Sequence, residues 1–118
     1  MSQEENRRAA RVARHVMARY RTTRVPEAAW LMSPLRDLSG GGARFLSEYA
    51  FEAGELMELQ LLLPNAPKPI ELKAKVAWMK PMPTRFTELG VTFDPGDTAV
   101  QRVIDEAIVR FLRQASKE

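Results

Sequence analysis

The chain has 118 residues, 45% of them apolar and 28% charged, with a formal net charge of +3, which is enough for one globular domain with a single core and too little for two. It contains no cysteine, which excludes disulfides, thiolate metal sites and cysteine nucleophiles and fits a reducing compartment. No apolar run approaches the roughly 18 residues of a membrane span, and the polar N-terminus lacks the apolar centre of a signal peptide, so a cytoplasmic location is expected.

The small net charge conceals an asymmetry. Residues 1–24 hold seven arginines (Arg7, Arg8, Arg11, Arg14, Arg19, Arg21 and Arg24) against Glu4 and Glu5, whereas residues 25–118 hold eleven basic and thirteen acidic side chains. All seven are Arg and none is Lys, which favours planar, bidentate recognition of phosphate or of a guanine Hoogsteen edge. An anionic ligand or surface is expected. We therefore divide the chain into a basic arm, residues 1–15, and a domain over residues 16–118. The arm also carries a helical period, with Ala9, Val12, Ala13, Val16, Met17 and Tyr20 on one face, and ordering of the arm on ligand binding is expected.

Alternation starts at Val16–Thr22, where Val16, Ala18 and Tyr20 share one face and Met17, Arg19 and Arg21 the other. A second strand is predicted over Ala28–Leu35, with Pro34 marking a strand end, an edge or a bulge. A third is predicted over Ala43–Ser47. Glu55–Leu63 places Met57, Leu59, Leu61 and Leu63 on one face. After the turn-rich residues 64–69, Ile70, Leu72, Ala74, Val76 and Trp78 alternate with Glu71, Lys73, Lys75, Ala77 and Met79, as in a half-buried antiparallel strand. A sixth strand, Arg85–Phe93, turns Leu89, Val91 and Phe93 inward, and Gly90 suits a bulge or a close backbone approach.

The period changes after residue 97. Thr98 and Gln101 form a capping-box pair, and Val100, Val103, Ile104, Ala107, Ile108 and Phe111 recur at helical spacing, predicting an amphipathic helix over about residues 98–114. The predicted fold is all-β with a terminal helix: a six-stranded antiparallel β-barrel capped by a C-terminal α-helix.

The stretch Asp37-Leu38-Ser39-Gly40-Gly41-Gly42 reads as a tight turn between two apolar runs. Glycines let backbone bend and lie close to a bound molecule, while Asp37 and Ser39 supply an acceptor and a donor/acceptor. Together with Arg7-Arg8-Ala9-Ala10-Arg11 ahead of the first strand and Leu89-Gly90-Val91-Thr92-Phe93 in the last, this stretch resembles the PilZ domain family. The family is marked by Arg-x-x-x-Arg and by Asp/Asn-x-Ser-x-x-Gly. One departure is Val12-Ala13, where family members often carry a proline.

The resemblance implies a split barrel and a receptor for the bacterial second messenger cyclic di-GMP. By it, Arg7, Arg8 and Arg11 would clamp the phosphates or reach guanine O6 and N7. Asp37 would accept from guanine N–H groups, Ser39 would donate, and Gly41 and Gly42 would let the nucleotide lie against backbone. Arg44 is a further candidate cation, or else an ornament of the barrel exterior. Trp78 either flanks a guanine or, sharing a face with Ala74 and Val76, belongs to the core or its rim. Arg14, Arg19, Arg21 and Arg24 are read as solvated outer faces and His15 as structural.

No Ser/His/Asp set, metal cluster or phosphate-loop lysine motif is present in the sequence, and no cofactor or metal is expected. The reading is a noncatalytic receptor that signals by conformational change to an unidentified protein effector in motility, pilus or biofilm control, as a monomer or dimer. The alternatives are a degenerate PilZ adaptor that binds only protein, and a barrel whose basic arm binds acidic membrane or nucleic acid.

Overall fold

The structure, a computed structural model, describes residues 16–39, 41–63 and 67–94 together with Arg102, residues 105–107, Val109, Arg110 and Arg113. Six strands follow one another: β1 (Met17–Thr22), β2 (Leu31–Leu38), β3 (Gly42–Ser47), β4 (Leu56–Leu62), β5 (Ile70–Pro81) and β6 (Thr87–Asp94). They close a barrel in the order β1-β2-β3-β6-β5-β4, and every neighbouring pair is antiparallel. Arg102, residues 105–107, Val109, Arg110 and Arg113 are helical and belong to a short C-terminal helix, and Ala107 packs against the core. The other expected apolar positions of that helix, Val100, Val103, Ile104, Ile108 and Phe111, lie outside the described residues.

Period-2 alternation decides which side chains fill the barrel. Val16, Ala18 and Tyr20 are fully buried, as are Met57, Leu59 and Leu61 from β4, Ala74 and Val76 from β5, and Leu89 from β6. Burial of each large aliphatic or aromatic side chain contributes about 1.5–3 kcal/mol before the entropy of ordering is counted. At one end Tyr20 packs on Phe45 (ring centroids 5.0 Å) and Phe51 (6.2 Å), and Phe51 meets Tyr49 edge-on at 4.6 Å. The Tyr20 hydroxyl accepts the Glu48 N–H at 2.9 Å, so this buried polar group is satisfied.

Three strands differ from the sequence expectation by two residues or more: β6 begins at Thr87 instead of Arg85, and the differences in β2 and β5 bear on function. β2 begins and ends about three residues later than predicted, because it serves two partners in turn: Leu31–Pro34 pair with β1, and Leu35–Leu38 pair with β3. Pro34, which has no N–H to donate, sits where one ladder ends and the other begins. Likewise β5 pairs with β4 over Ile70–Lys75 and with β6 over Lys73–Pro81, running beyond the predicted end at Met79.

Candidate functional site

The longer β2 carries Asp37 and Leu38 into the ladder and confines the β2–β3 connection to residues 39–41. That corrects the expectation that Asp37 lies on the turn itself. The Ser39 N–H donates to the Gly42 carbonyl at 2.9 Å, and the Phe93 N–H donates to the Gly41 carbonyl at 2.9 Å, which fastens the connection to β6. Gly42 is needed for a close approach: a Cβ there would collide with the Val91 carbonyl oxygen. Positive φ is not the reason, since among the described residues only Gly54 has it, at 87°. Gly41 has open space where a Cβ would stand, so another molecule can come up to its backbone.

Asp37 lies opposite Arg44, Arg44 opposite Gly90, and Gly90 opposite Trp78, giving one row across β2, β3, β6 and β5. Two irregularities flank the row. Register shifts between Leu35 and Asp37 on β2, and between Val76 and Trp78 on β5, each inserting a residue and reversing the facing of the side chains beyond it. Strict alternation from Val76 puts Trp78 in the core; the extra residue Ala77 turns it outward, where it is 42% exposed. The core reading of Trp78 is thereby overturned. Its indole instead lies over Gly90, close enough that a Cβ on Gly90 would strike Nε1, Cε2 and Cζ2.

Asp37, Ser39, Gly41, Gly42, Arg44 and Trp78 all line one open depression of about 330 Å³, together with Ala43, Ala77, Gly90, Val91 and Thr92. One carboxylate oxygen of Asp37 accepts its neighbour's N–H, that of Leu38, at 2.9 Å. The Ser39 hydroxyl reaches the Gly42 carbonyl only at 3.4 Å, a weak bond that a ligand can displace. Arg44 has no ion pair among the described residues, unlike Arg36 on Glu88 (3.1 Å) and Arg85 on Glu48 (3.3 Å). On the far side of Arg44 a wider hollow of about 870 Å³ is lined by Met32, Pro34, Arg36, Leu46, Glu48 and Phe86, among others. Arg44 belongs to both.

Sequence reasoning thus found six residues that the fold gathers, and it missed Ala43, Ala77, Gly90, Val91 and Thr92 as lining residues. Gly90 had a readable signal, a glycine interrupting an apolar alternation, but its pairing with Arg44 and Trp78 across the ladders had none. Arg7, Arg8, Arg11, Arg14 and His15 lie outside the described residues. Arg19 is exposed as expected. Arg21 is not simply solvated: it binds Glu58 at 2.7 Å and lies over the Trp30 ring at 4.3 Å. Arg24 reaches Glu55 at 3.3 Å. Among the described residues no cluster of three or more His, Asp or Glu suits a metal, and no helix is long and apolar enough to cross a membrane.

Known structures share this architecture. The PilZ domain of YcgR from Escherichia coli, solved with c-di-GMP, superposes with a TM-score of 0.63 at 17% identity, covering 86% of this chain and 85% of that one. The K. pneumonia MrkH–c-di-GMP complex gives 0.68 at 14% identity over 87% of this chain and 49% of that one. The Bacillus subtilis inhibitor of motility, MotI/DgrA, gives 0.61 at 19% identity, over 87% and 48%. The chain spans about half the length of the MrkH structures that it matches. No curated protein sequence matches it. The PilZ domain model matches residues 5–114, nearly the full sequence, and the chain belongs to the PilZ domain family.

Proposed function

We propose that this chain is a noncatalytic receptor for cyclic di-GMP, acting in the cytoplasm, whose occupancy is passed to a protein partner in motility, pilus or biofilm control. The observation that carries the reading is the convergence of Asp37, Ser39, Gly41, Gly42, Arg44 and Trp78 on one depression in a PilZ chain. The c-di-GMP complexes of YcgR and MrkH support it as relatives.

The chemistry of the row suits a guanine. Asp37 is a carboxylate with acceptor capacity left after its bond to Leu38, matching the guanine N1–H and N2–H groups. Arg44 offers paired donors to O6 and N7 or to a phosphate. The exposed Trp78 ring offers a stacking face, and the open backbone at Gly41 admits the sugar–phosphate. A depression of about 330 Å³ lies at the small end of ligand sites and seats one base with its surroundings. The remainder of a cyclic dinucleotide extends over Arg44 toward the wider hollow. Arg7, Arg8 and Arg11 are assigned to the phosphates by the family's Arg-x-x-x-Arg motif.

The test is isothermal titration of cyclic di-GMP into the wild-type chain and into Arg7→Ala/Arg11→Ala and Asp37→Ala variants, with GMP and cyclic di-AMP as controls. Binding on the order of 1 μM, or about −8 kcal/mol, selective for guanine and lost in both variants, is the expected result. A folded wild type that takes up no cyclic di-GMP sinks the receptor reading.

A further inference from the structure

We propose that Gly90 is a positioning residue of this site: by carrying no side chain it seats the Trp78 indole across β6 beside Arg44, fixing the flat wall against which a purine base packs. The proposal rests on the receptor reading above and adds to it a residue that never touches the base.

Three features of the structure converge on Gly90. It is the ladder partner of Arg44 on one side and of Trp78 on the other, so it occupies the middle of the polar row. The register shift between Val76 and Trp78 turns the indole to the outer face. There the ring occupies the volume a Cβ on Gly90 would need, meeting it at Nε1, Cε2 and Cζ2. An indole is rigid beyond its two side-chain torsions, so an added methyl cannot be absorbed by bending; the ring must swing away as a unit.

The same geometry separates this role from a structural one. Gly90 lacks the positive φ that would require glycine, and alanine suits a strand at least as well as glycine does. The three atoms nearest a Cβ there all belong to one exposed side chain and none to the backbone, so the β3–β6 and β5–β6 ladders are expected to stay in place. Gly90→Ala therefore acts on the wall and leaves the barrel folded.

The experiment is a double-mutant cycle read by calorimetric titration of cyclic di-GMP into wild type, Gly90→Ala, Trp78→Ala and the double variant. Gly90→Ala alone should weaken binding about 10- to 100-fold, the range of one lost base–aromatic stack. Trp78→Ala should do the same, and the double variant should be no worse than Trp78→Ala. In parallel, a Trp30→Phe background leaves Trp78 as the sole tryptophan. There Gly90→Ala should shift the ligand-free emission and increase quenching by acrylamide without lowering the thermal midpoint. Equal losses from Gly90→Ala with and without the Trp78 indole overturn the proposal, as does unchanged emission and quenching. A wild type that binds but shows no coupling overturns this role of Gly90 alone. A wild type that does not bind overturns the receptor reading and the role together.

Discussion

The β1–β4 ladder and the β2–β3–β6–β5 wall are built from the same alternating strands, yet they treat charge and register differently. Between β1 and β4 six successive residue pairs run from Met17 opposite Leu62 to Thr22 opposite Met57 without a shift. The outward Arg21 there is already held by Glu58 and Trp30. The other wall carries both register shifts, and its outward row leaves Arg44 without an ion pair among the described residues and Trp78 exposed. A regular ladder satisfies its own side chains and contributes stability; a bulged one turns side chains outward with bonding capacity left for a ligand.

Substitutions can break that contrast at both ends of the range. The largest effect belongs to the shared interior: Phe45→Ala removes a fully buried ring packed on Tyr20 and should cost about 3–5 kcal/mol of stability, measured by chemical denaturation. Asp37→Ala should instead leave the denaturation midpoint in place and weaken cyclic di-GMP by at least about tenfold, as expected for a hydrogen bond to a charged group. A loss of stability of the same size would move Asp37 from the site to the scaffold.

Gly42→Ala tests the junction between the two behaviours. Its methyl meets the Val91 carbonyl, so a destabilisation of about 1–3 kcal/mol should appear together with weakened binding. An unchanged protein would show that β6 can yield there.

A smaller effect is expected at Tyr20. Burial, the larger influence, raises its pKa, and the bond from the Glu48 N–H partly offsets it. The folded chain thus holds the phenolic proton more tightly than the unfolded chain does. The resulting stabilisation is complete below the unfolded value near 10 and is lost as pH rises beyond it. Denaturation followed from pH 8 upward should show a decline that begins above about pH 10 and is diminished in Tyr20→Phe. Smallest of all, Arg21→Gln on the regular ladder should change stability by no more than about 1 kcal/mol and leave cyclic di-GMP titrations untouched. A binding defect there would erase the distinction between the two walls.

The sequence by itself determined the strand count, the terminal helix and the inward side chains of the regular strand stretches, because burial there follows the period of 2 that any reader of Met57, Leu59 and Leu61 can see. It also determined the binding candidates Asp37, Ser39, Gly41 and Gly42, because a local motif keeps its members together whatever the fold does. Only the tertiary structure decided where β2 changes partner, since Pro34 is compatible with a strand end, an edge or a bulge until two neighbours compete for the chain. Only it decided the direction of Trp78: a one-residue bulge reverses every face beyond it, and the ladder partner over which the ring lies, Gly90, is twelve residues away in sequence. Alternation is written in the chain, whereas register is an agreement between strands, and the row from Asp37 to Trp78 exists only once four strands have settled theirs.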